Sequence, residues 1–269
     1  MAVLRASVAL LACAAAFGSA ACDVSVKDGE FNVGIASGRA EDEWKRDYAI
    51  SAGGLLDIRN INGQIAIEPA AEGAQVQIRA LRIARAGSDD AASELLKQVQ
   101  IEENVTTDAV RLQTKAPSAS GWGKGHEVKY FVKAPPSIRV NAHTTNGGIR
   151  LAGLRNDLDV SSVNGGIDGE RLSGPVKAST TNGGVDVQVD AVPSGGVRLS
   201  TVNGGISLEL PQAARADISA RVTNGGLHTD NLTLDVQEQS RRRLEGKLNG
   251  GGSRVELVTT NGGIRIRGQ

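Results

Sequence analysis

Apolar residues alternate with polar ones along most of the second half of the chain, and sharp corners of one kind interrupt the alternation. Each corner reads Asn-Gly-Gly, or once Asn-Gly-Gln. The corner asparagines are Asn62, Asn146, Asn164, Asn182, Asn203, Asn224 and Asn261. In every copy the residues six and four positions before the asparagine, and three positions after it, are apolar. Alternation with a period of two on both sides of a corner predicts two half-buried strands per copy.

The spacing of the copies predicts how they assemble. From Asn146 to Asn224, successive corner asparagines are 18, 18, 21 and 21 residues apart. Each copy is therefore one supersecondary unit that can bury its apolar face only by stacking on its neighbours. The sequence predicts an all-β fold, a parallel β-helix (β-solenoid), over residues 51–269.

The repeat length also bears on handedness. Eighteen residues would suit three hexapeptides, the repeat of left-handed β-helices, but steps of six from Ile149 meet Arg155 and Ser161. We therefore expect a right-handed parallel β-helix. Asn-Gly between strands is also a hairpin signal, so an array of hairpins forming a β-sandwich is the alternative fold. The solenoid is favoured because neighbouring hairpins would need mirrored patterns, whereas these columns recur in one direction.

The corner residues have a structural explanation. A sharp turn between strands needs backbone conformations that glycine adopts freely and asparagine tolerates. The asparagine side chain can also bond to nearby backbone or to the equivalent asparagine of the next coil. Two positions earlier the residue is mostly small and polar, as at Thr144, Thr180 and Thr201. We expect the seven asparagines to form a structural turn ladder.

A segment of different character separates the first corner from the second. Ser88 can cap a short helix that has Asp89 in its first turn. Strand-like runs follow at residues 99–103, 109–114 and 128–132. This pattern predicts a small α+β insertion after the first coil, at about residues 69–136.

The N-terminus predicts export. Residues 1–21 combine Arg5, a short apolar run and small residues, which is the layout of a secretory signal peptide. Cys13 lies inside this signal, and Cys22 follows a Ser-Ala-Ala sequence that resembles a bacterial lipobox. Because a single cysteine in an exported chain can form no internal disulfide, we expect Cys22 to carry a lipid. A polar tether at residues 22–50 then links the membrane to the folded domain, in the cell envelope facing the periplasm or the exterior.

Composition limits the partners. Thirty basic residues balance thirty acidic ones, so no net field attracts a nucleic acid or an anionic membrane. All seven aromatic residues occur at or before Phe131, so the repeats after it lack rings on which nucleic-acid bases or sugars could stack. We expect a membrane association only through the lipid anchor, and no nucleic-acid partner.

One polar column of the repeats carries charge. It comprises Asp168, Glu170, Asp186, Glu209 and Asp230, with Arg150, Arg265 and Arg267 in the first and last repeats of the column. Stacked coils predict an acidic strip bracketed by arginines, a possible face for a ligand or a cation. Because calcium takes oxygen ligands, the alternative function is a calcium-assisted polysaccharide-binding or polysaccharide-lyase β-helix. The competing interpretation is a solvated face on which Arg150 pairs with Asp168.

The sequence offers little for catalysis. His126, His143 and His228 lie in different contexts, and no His-Glu-x-x-His, Cys-x-x-Cys or Gly-x-Ser-x-Gly motif occurs. We therefore expect no enzymatic activity, no catalytic residues, no cofactor and no bound metal.

Short motifs link the chain to a known family. Thr-Thr-Asn-Gly-Gly-Ile occurs at 144–149 and 259–264, Ile-Asn-Gly-Gln-Ile at 61–65 and Lys-Ala-Pro-Pro at 133–136. Over roughly residues 50–269 the sequence resembles a bacterial adhesin-like family of β-helical envelope domains. The resemblance implies a right-handed β-helix and an extracytoplasmic location, and it brings no catalytic residues. The resulting hypothesis is a non-enzymatic, lipid-anchored cell-envelope protein, an adhesin-like binding or scaffold module whose partner is an envelope protein or polysaccharide.

Overall fold

A computed structural model of the chain describes residues 22–27, 30–35, 38–117 and 124–269, with side chains from Gly38 onward. The signal peptide predicted at residues 1–21 lies outside the described residues, and so does the side chain of Cys22. Lipidation of Cys22 therefore stays a prediction.

The described residues form strands and one helix. Up to the second corner these are β1 (Cys22–Lys27), β2 (Glu30–Ile35), β3 (Gly38–Tyr48), β4 (Leu55–Arg59), β5 (Ile65–Pro69), β6 (Val76–Ala86), α1 (Asp89–Gln98), β7 (Gln100–Val105), β8 (Ala109–Lys115), β9 (Gly125–Ala134) and β10 (Arg139–Asn146). The later strands are β11 (Ile149–Ala152), β12 (Leu158–Asn164), β13 (Ile167–Leu172), β14 (Val176–Asn182), β15 (Val185–Val189), β16 (Val197–Asn203), β17 (Ile206–Leu210), β18 (Ala216–Asn224), β19 (Leu227–Asp230), β20 (Leu234–Gln239), β21 (Arg243–Leu248), β22 (Ser253–Asn261) and β23 (Ile264–Gly268).

Each repeat contributes one strand to each of two sheets. The strands before the corners lie in an eleven-stranded sheet of order β20-β21-β18-β22-β16-β14-β12-β10-β4-β8-β7. The strands after the corners lie in a ten-stranded sheet of order β19-β23-β17-β15-β13-β11-β5-β9-β6-β3. Neighbouring repeat strands pair in parallel with equivalent positions opposite each other, for example Asn164 opposite Asn182. This pairing confirms an all-β solenoid and excludes the alternative of a hairpin sandwich for the repeats.

Apolar columns fill the space between the two sheets. Ile65, Ile149 and Ile167, each three positions after a corner asparagine, are at most 1% exposed. Ile149 lies opposite Ile65 on one neighbouring strand and opposite Ile167 on the other, so the same side chain recurs from coil to coil. Repetition of one apolar residue type at the strand spacing of about 4.8 Å gives the interior its regular packing.

The order of the coils differs from the order of the chain. Strand β22 pairs in parallel with both β16 and β18, and β23 pairs with both β17 and β19. The coil of Asn261 therefore lies between the coils of Asn203 and Asn224. The intervening strands β20 and β21 form a hairpin that pairs antiparallel with β18 and covers that edge of the eleven-stranded sheet. This arrangement accounts for the 37 residues between the last two corners.

The segment at residues 69–136 contains the predicted helix, α1. Ser88 caps it by accepting a hydrogen bond from the backbone N–H of Ala91 at 3.3 Å. However, β8 and β9 pair in parallel with β4 and β5 and so form a further coil outside that of Asn62. The segment therefore extends the solenoid stack, and β7 and β6 close its end by antiparallel pairing.

The polar tether predicted at residues 22–50 is wrong for its second half. Residues 38–48 form β3, which pairs antiparallel with β6 at the edge of the ten-stranded sheet, and Tyr48 is buried. The hydroxyl of Tyr48 donates to Glu103 Oε2 at 2.5 Å. Edge strands commonly carry alternating charges, as β3 does at Glu41, Glu43 and Lys45, and such a strand resembles a solvated linker in sequence. Residues 22–27 and 30–35 pair with each other as an antiparallel hairpin.

Candidate functional site

The first candidate surface is the corner ladder, which we define as the side chains of the seven corner asparagines. Six of the seven Nδ2 groups, all but that of Asn62, donate to the Oδ1 of the asparagine on the adjacent coil. The distances are 2.7 Å from Asn146 to Asn62, 2.8 Å from Asn164 to Asn146, 2.8 Å from Asn182 to Asn164, 2.8 Å from Asn203 to Asn182, 2.8 Å from Asn261 to Asn203 and 2.9 Å from Asn224 to Asn261. All the amides thus point the same way along the stack, and most of the column is exposed.

A buried layer of hydrogen bonds supports this ladder. Thr180 Oγ1 donates to the backbone carbonyl of Gly165 at 2.8 Å. Equivalent bonds run from Thr144, Ser162, Thr201 and Thr259 to the first glycine of the adjacent corner. The backbones approach so closely here that a Cβ on Gly165 would lie 2.1 Å from the carbonyl oxygen of Gly147. The first glycine of each corner is therefore required by close approach of neighbouring coils.

The ladder ends at a buried histidine. Asn62 Nδ2 lies 3.1 Å from Nε2 of His126, which is on β9 and only 8% exposed. Because an amide nitrogen can only donate, Nε2 must accept and the imidazole proton must be on Nδ1. Nδ1 is buried and has no hydrogen-bond partner among the described residues. Burial lowers the pKa of His126, which favours the neutral ring that the ladder requires.

The second candidate surface is the central row on the outer face of the ten-stranded sheet. We define the central row as the outward residues that lie opposite one another on successive strands: Arg150, Asp168, Asp186, Ser207, Arg265 and His228. A parallel second row continues through Gln188, Glu209, Arg267 and Asp230. Together the two rows contain four of the five acidic residues of the predicted acidic strip, namely Asp168, Asp186, Glu209 and Asp230.

The coil order changes the charge pattern of that strip. Arg267 pairs with Glu209 at 3.2 Å and Arg265 pairs with Asp230 at 3.5 Å, because β23 lies between β17 and β19. Arg150 lies 3.7 Å from Asp168. Arginines therefore separate acidic residues that were expected to adjoin, and Glu170 lies opposite Ala152. Asp168 and Asp186 remain directly opposite each other as two like charges. No group of three or more His, Cys, Asp or Glu side chains in the described part of the chain is arranged to bind a metal ion.

The third candidate surface was not expected from the sequence. A groove of about 740 Å³ lies where β3, β6, β9 and β5 meet. We call it the basic groove. It is lined by Lys45, Arg46, Asp47, Ala66, Glu68, Gln77, Ile78, Arg79, Phe131, Val132 and Lys133. Its middle is formed by strand partners, since Lys45 lies opposite Arg79, Arg79 opposite Phe131, and Phe131 opposite Ala66.

The electrostatics of the basic groove centre on one carboxylate at its edge. Glu43 contacts Lys45 and accepts from Arg79 Nη1 at 3.1 Å. The hydrogen bond from Lys45, followed by that from Arg79, lowers the pKa of Glu43. The guanidinium of Arg79 also lies over the ring of Phe131, 4.4 Å from its centroid. Lys45 and Arg79 therefore hold an ionised carboxylate beside an aromatic ring, while the lysine remains 67% exposed.

The three histidines lie on different strands. His126 is on β9, His143 is on β10 and His228 is on β19. His143 Nδ1 lies 2.6 Å from Ser161 Oγ on the adjacent strand, as part of the outer face of the eleven-stranded sheet. That pair is a cross-strand contact within one sheet face.

A signal for the basic groove was present in the sequence. The aromatic residues are confined to the part of the chain up to Phe131, and Lys or Arg residues stand between apolar residues in β6 and β9. The sequence does not place the groove, because it predicts a tether for residues 38–48 and an insertion for β6 and β9. Only the antiparallel pairing of β3 and β9 with β6 brings Lys45, Arg79 and Phe131 together.

These features define a class of protein, a parallel β-solenoid with stacked polar corners and antiparallel strands at its ends. The chain belongs to the Toastrack DUF4097 family, whose model matches residues 56–267. This match confirms the resemblance indicated by the Asn-Gly-Gly repeats. No curated protein sequence matches the chain significantly.

The chain is also similar, at low sequence identity, to solved structures of other proteins. A "putative cell adhesion protein" from Clostridium sporogenes is 12% identical, with a TM-score of 0.46, over 86% of this chain and 100% of the other. A "putative adhesin" from Bacteroides fragilis is 12% identical, with a TM-score of 0.39, over 85% of this chain and 97% of the other. Within the described residues, none of the helical structure is long and apolar enough to cross a membrane.

Proposed function

We propose that the protein is a non-enzymatic binding module of the bacterial cell envelope, adhesin-like in presenting rigid polar faces to another envelope molecule. The observation that carries this proposal is the register of the ten-stranded sheet, in which outward side chains form continuous rows across successive coils. Because the register fixes the backbone beneath these side chains, a partner can bind along the rows without any ordering of the main chain. An extended partner, such as a polysaccharide or a protein strand, suits rows of this length.

We further propose that the chain is exported, loses residues 1–21, carries a lipid on Cys22 and winds as a right-handed β-helix. The small residues before Cys22 and the single mature cysteine support the anchor. Mass spectrometry of the mature N-terminus tests it directly. A Cys22 carrying diacylglycerol supports the anchor, and an unmodified cysteine or a different first residue contradicts it.

Binding can be tested without the anchor. The chain from residue 23 onward should sediment with purified cell envelopes in a saturable manner. Reversing charge on the outer face of the ten-stranded sheet, as in Arg150→Glu, should weaken this binding. The matched control is Lys177→Glu on the outer face of the eleven-stranded sheet, where Lys177 pairs with Asp159 at 2.9 Å. Failure of the unaltered chain to sediment would contradict the proposed function.

The alternative, a calcium-assisted polysaccharide-binding or polysaccharide-lyase β-helix, has one observation in its favour. Asp168 and Asp186 lie directly opposite each other on adjacent strands, where a cation would relieve their repulsion. Arg150, beside Asp168, already supplies a positive charge to this pair. We therefore retain the binding module as the proposed function.

A further inference from the structure

The basic groove has the size and the openings of a ligand site. Its volume of about 740 Å³ falls within the range of about 300–1,000 Å³ that is usual for small-molecule sites. Its floor is apolar, because Phe131 on β9 lies opposite Ala66 on the adjacent strand β5. The small side chain of Ala66 leaves space beside the ring. On the next strand Arg150 lies opposite Ala66, so the groove continues into the central row. A polymer lying in the groove could therefore extend along the sheet.

The cations of the groove select a negatively charged ligand. The groove is lined by the basic residues Lys45, Arg46, Arg79 and Lys133 and by the acidic residues Asp47 and Glu68. Lys45 and Arg79 already bind the carboxylate of Glu43, so an anionic ligand would take the place of that carboxylate. Glu43 shows what this surface can hold, since its carboxylate is bound jointly by Lys45 and Arg79. Hydrogen bonds between ionised partners of this kind are among the stronger polar contacts in proteins.

The remaining polar groups distinguish among anions. Asp47, Glu68 and Gln77 offer hydrogen-bond acceptors within the same groove. The hydroxyl groups of a sugar would donate to these acceptors, whereas the phosphodiester groups of a membrane surface carry no hydrogen to donate to them. A sugar acid combines three matching features. It has a ring that can pack against Phe131, a carboxylate that can bind the lysines, and hydroxyl groups that can donate to the acceptors.

We propose that the basic groove binds a strand of an acidic polysaccharide, with its carboxylates on Lys45 and Lys133 and a sugar ring against Phe131. This inference rests on the proposed function and specifies its ligand class. Lys133 lies two positions after Phe131 on β9, and Lys45 lies two strands away on β3, beyond Arg79, which covers one side of the ring.

Calorimetric titration of the chain from residue 23 onward tests this inference, with oligogalacturonate as the acidic probe and a neutral galactan oligomer as its counterpart. Oligogalacturonate should bind, and Lys133→Ala and Lys45→Ala should each weaken its binding about tenfold, as expected for loss of one charge-assisted hydrogen bond. Lys177→Ala, on the other sheet, is the matched control and should bind as the unaltered chain does. Circular dichroism should show the same unfolding midpoint for all three variants, since these lysines are exposed.

Several results would overturn the inference. These are no binding of oligogalacturonate, equal binding of the neutral oligomer, and equal losses in Lys177→Ala and Lys133→Ala. Stronger binding to phosphatidylglycerol vesicles or to polyglutamate would assign the groove to a membrane or an acidic peptide instead. If Lys133→Ala or Lys45→Ala altered the fold, Phe131→Leu would serve as the test variant in its place. Phe131→Leu should also weaken the binding of oligogalacturonate. Envelope sedimentation that persists without oligogalacturonate binding would contradict only this inference and leave the proposed function standing.

Discussion

Asn62 donates its side-chain amide to Nε2 of His126, and this bond ends a chain of asparagine amides that all point the same way. The bond exists only while Nε2 is unprotonated. Protonation would place two donors opposite each other, so either this contact breaks or the amides along the ladder must turn over. One buried imidazole therefore couples the whole corner ladder to pH.

Stability should consequently fall in mild acid. The pKa of His126 is lowered by burial from its ordinary value of about 6.5. The unfolded chain binds this proton at higher pH than the folded chain does, so the contribution is fully present above about pH 6.5 and is lost as the pH falls below it. Urea unfolding at about pH 7.5 and pH 5.5 measures the change.

The control for this prediction is His126→Gln, whose side-chain oxygen can accept from Asn62 without titrating. This variant should lose much of the pH dependence, whereas His228→Gln, at an exposed position, should retain it. An unaltered pH dependence in His126→Gln would show that another group is responsible.

The two glycines of a corner should differ sharply in their tolerance of a side chain. A Cβ on Gly183 would lie 2.3 Å from the carbonyl oxygen of Gly165, whereas a Cβ on Gly184 would lie 3.5 Å from that of Gly205. Gly183→Ala should therefore lower the free energy of unfolding by about 1–3 kcal/mol or more, as expected for overpacking. Gly184→Ala should change it by less than about 0.5 kcal/mol. Denaturant unfolding of both variants checks this prediction, and equal effects would contradict the close approach of the coils.

The position of an asparagine in the ladder should decide its contribution. Asn182 donates to Asn164 and accepts from Asn203, while Asn224 makes a ladder bond only to Asn261. Asn182→Ala should lower the free energy of unfolding by about 1–3 kcal/mol. Asn224→Ala, the matched control, should cost less. If Asn182→Ala left stability unchanged but abolished envelope binding, the corner ladder would be a binding site and its structural interpretation would be wrong.

Calcium should not stabilise the fold. At millimolar calcium the melting temperature should stay constant, because arginines already neutralise most of the acidic strip. Asp186→Asn should raise the free energy of unfolding by about 0.2–1 kcal/mol by removing the repulsion from Asp168. Asp168→Asn is the control, and its free energy of unfolding should rise by less, since this variant also loses the contact with Arg150. Stabilisation by calcium that disappears in both variants would instead support the calcium-dependent alternative.

The repeats could be predicted because their signal is local and redundant. Each corner fixes apolar columns at constant offsets, so the strands, their burial and their parallel pairing follow from the sequence alone. The order of the coils could not be predicted. The coils of Asn224 and Asn261 carry the same apolar columns, so these columns do not decide which of them packs against the coil of Asn203. In the structure the β20–β21 hairpin covers the coil of Asn224 instead.

The ends of the solenoid escaped prediction for a different reason. The coil of β8 and β9 has no Asn-Gly-Gly corner, and it is completed by residues far away in sequence, such as Asn62, which contacts His126, and Asn60, which donates to the backbone carbonyl of Val128. The same is true of the basic groove, whose residues belong to four strands that are paired only in the folded chain. A local pattern of apolar residues predicts a strand, but it does not predict which strand pairs with it at the end of the solenoid.

Incubating the purified chain with cell envelopes, and measuring bound protein and released soluble carbohydrate in the same samples over time, separates a binding module from an enzyme. The proposed function predicts saturable binding with no time-dependent release of carbohydrate fragments. Release of fragments that grows with time and with protein concentration, and that is lost in Asp168→Asn and Asp186→Asn, would contradict it.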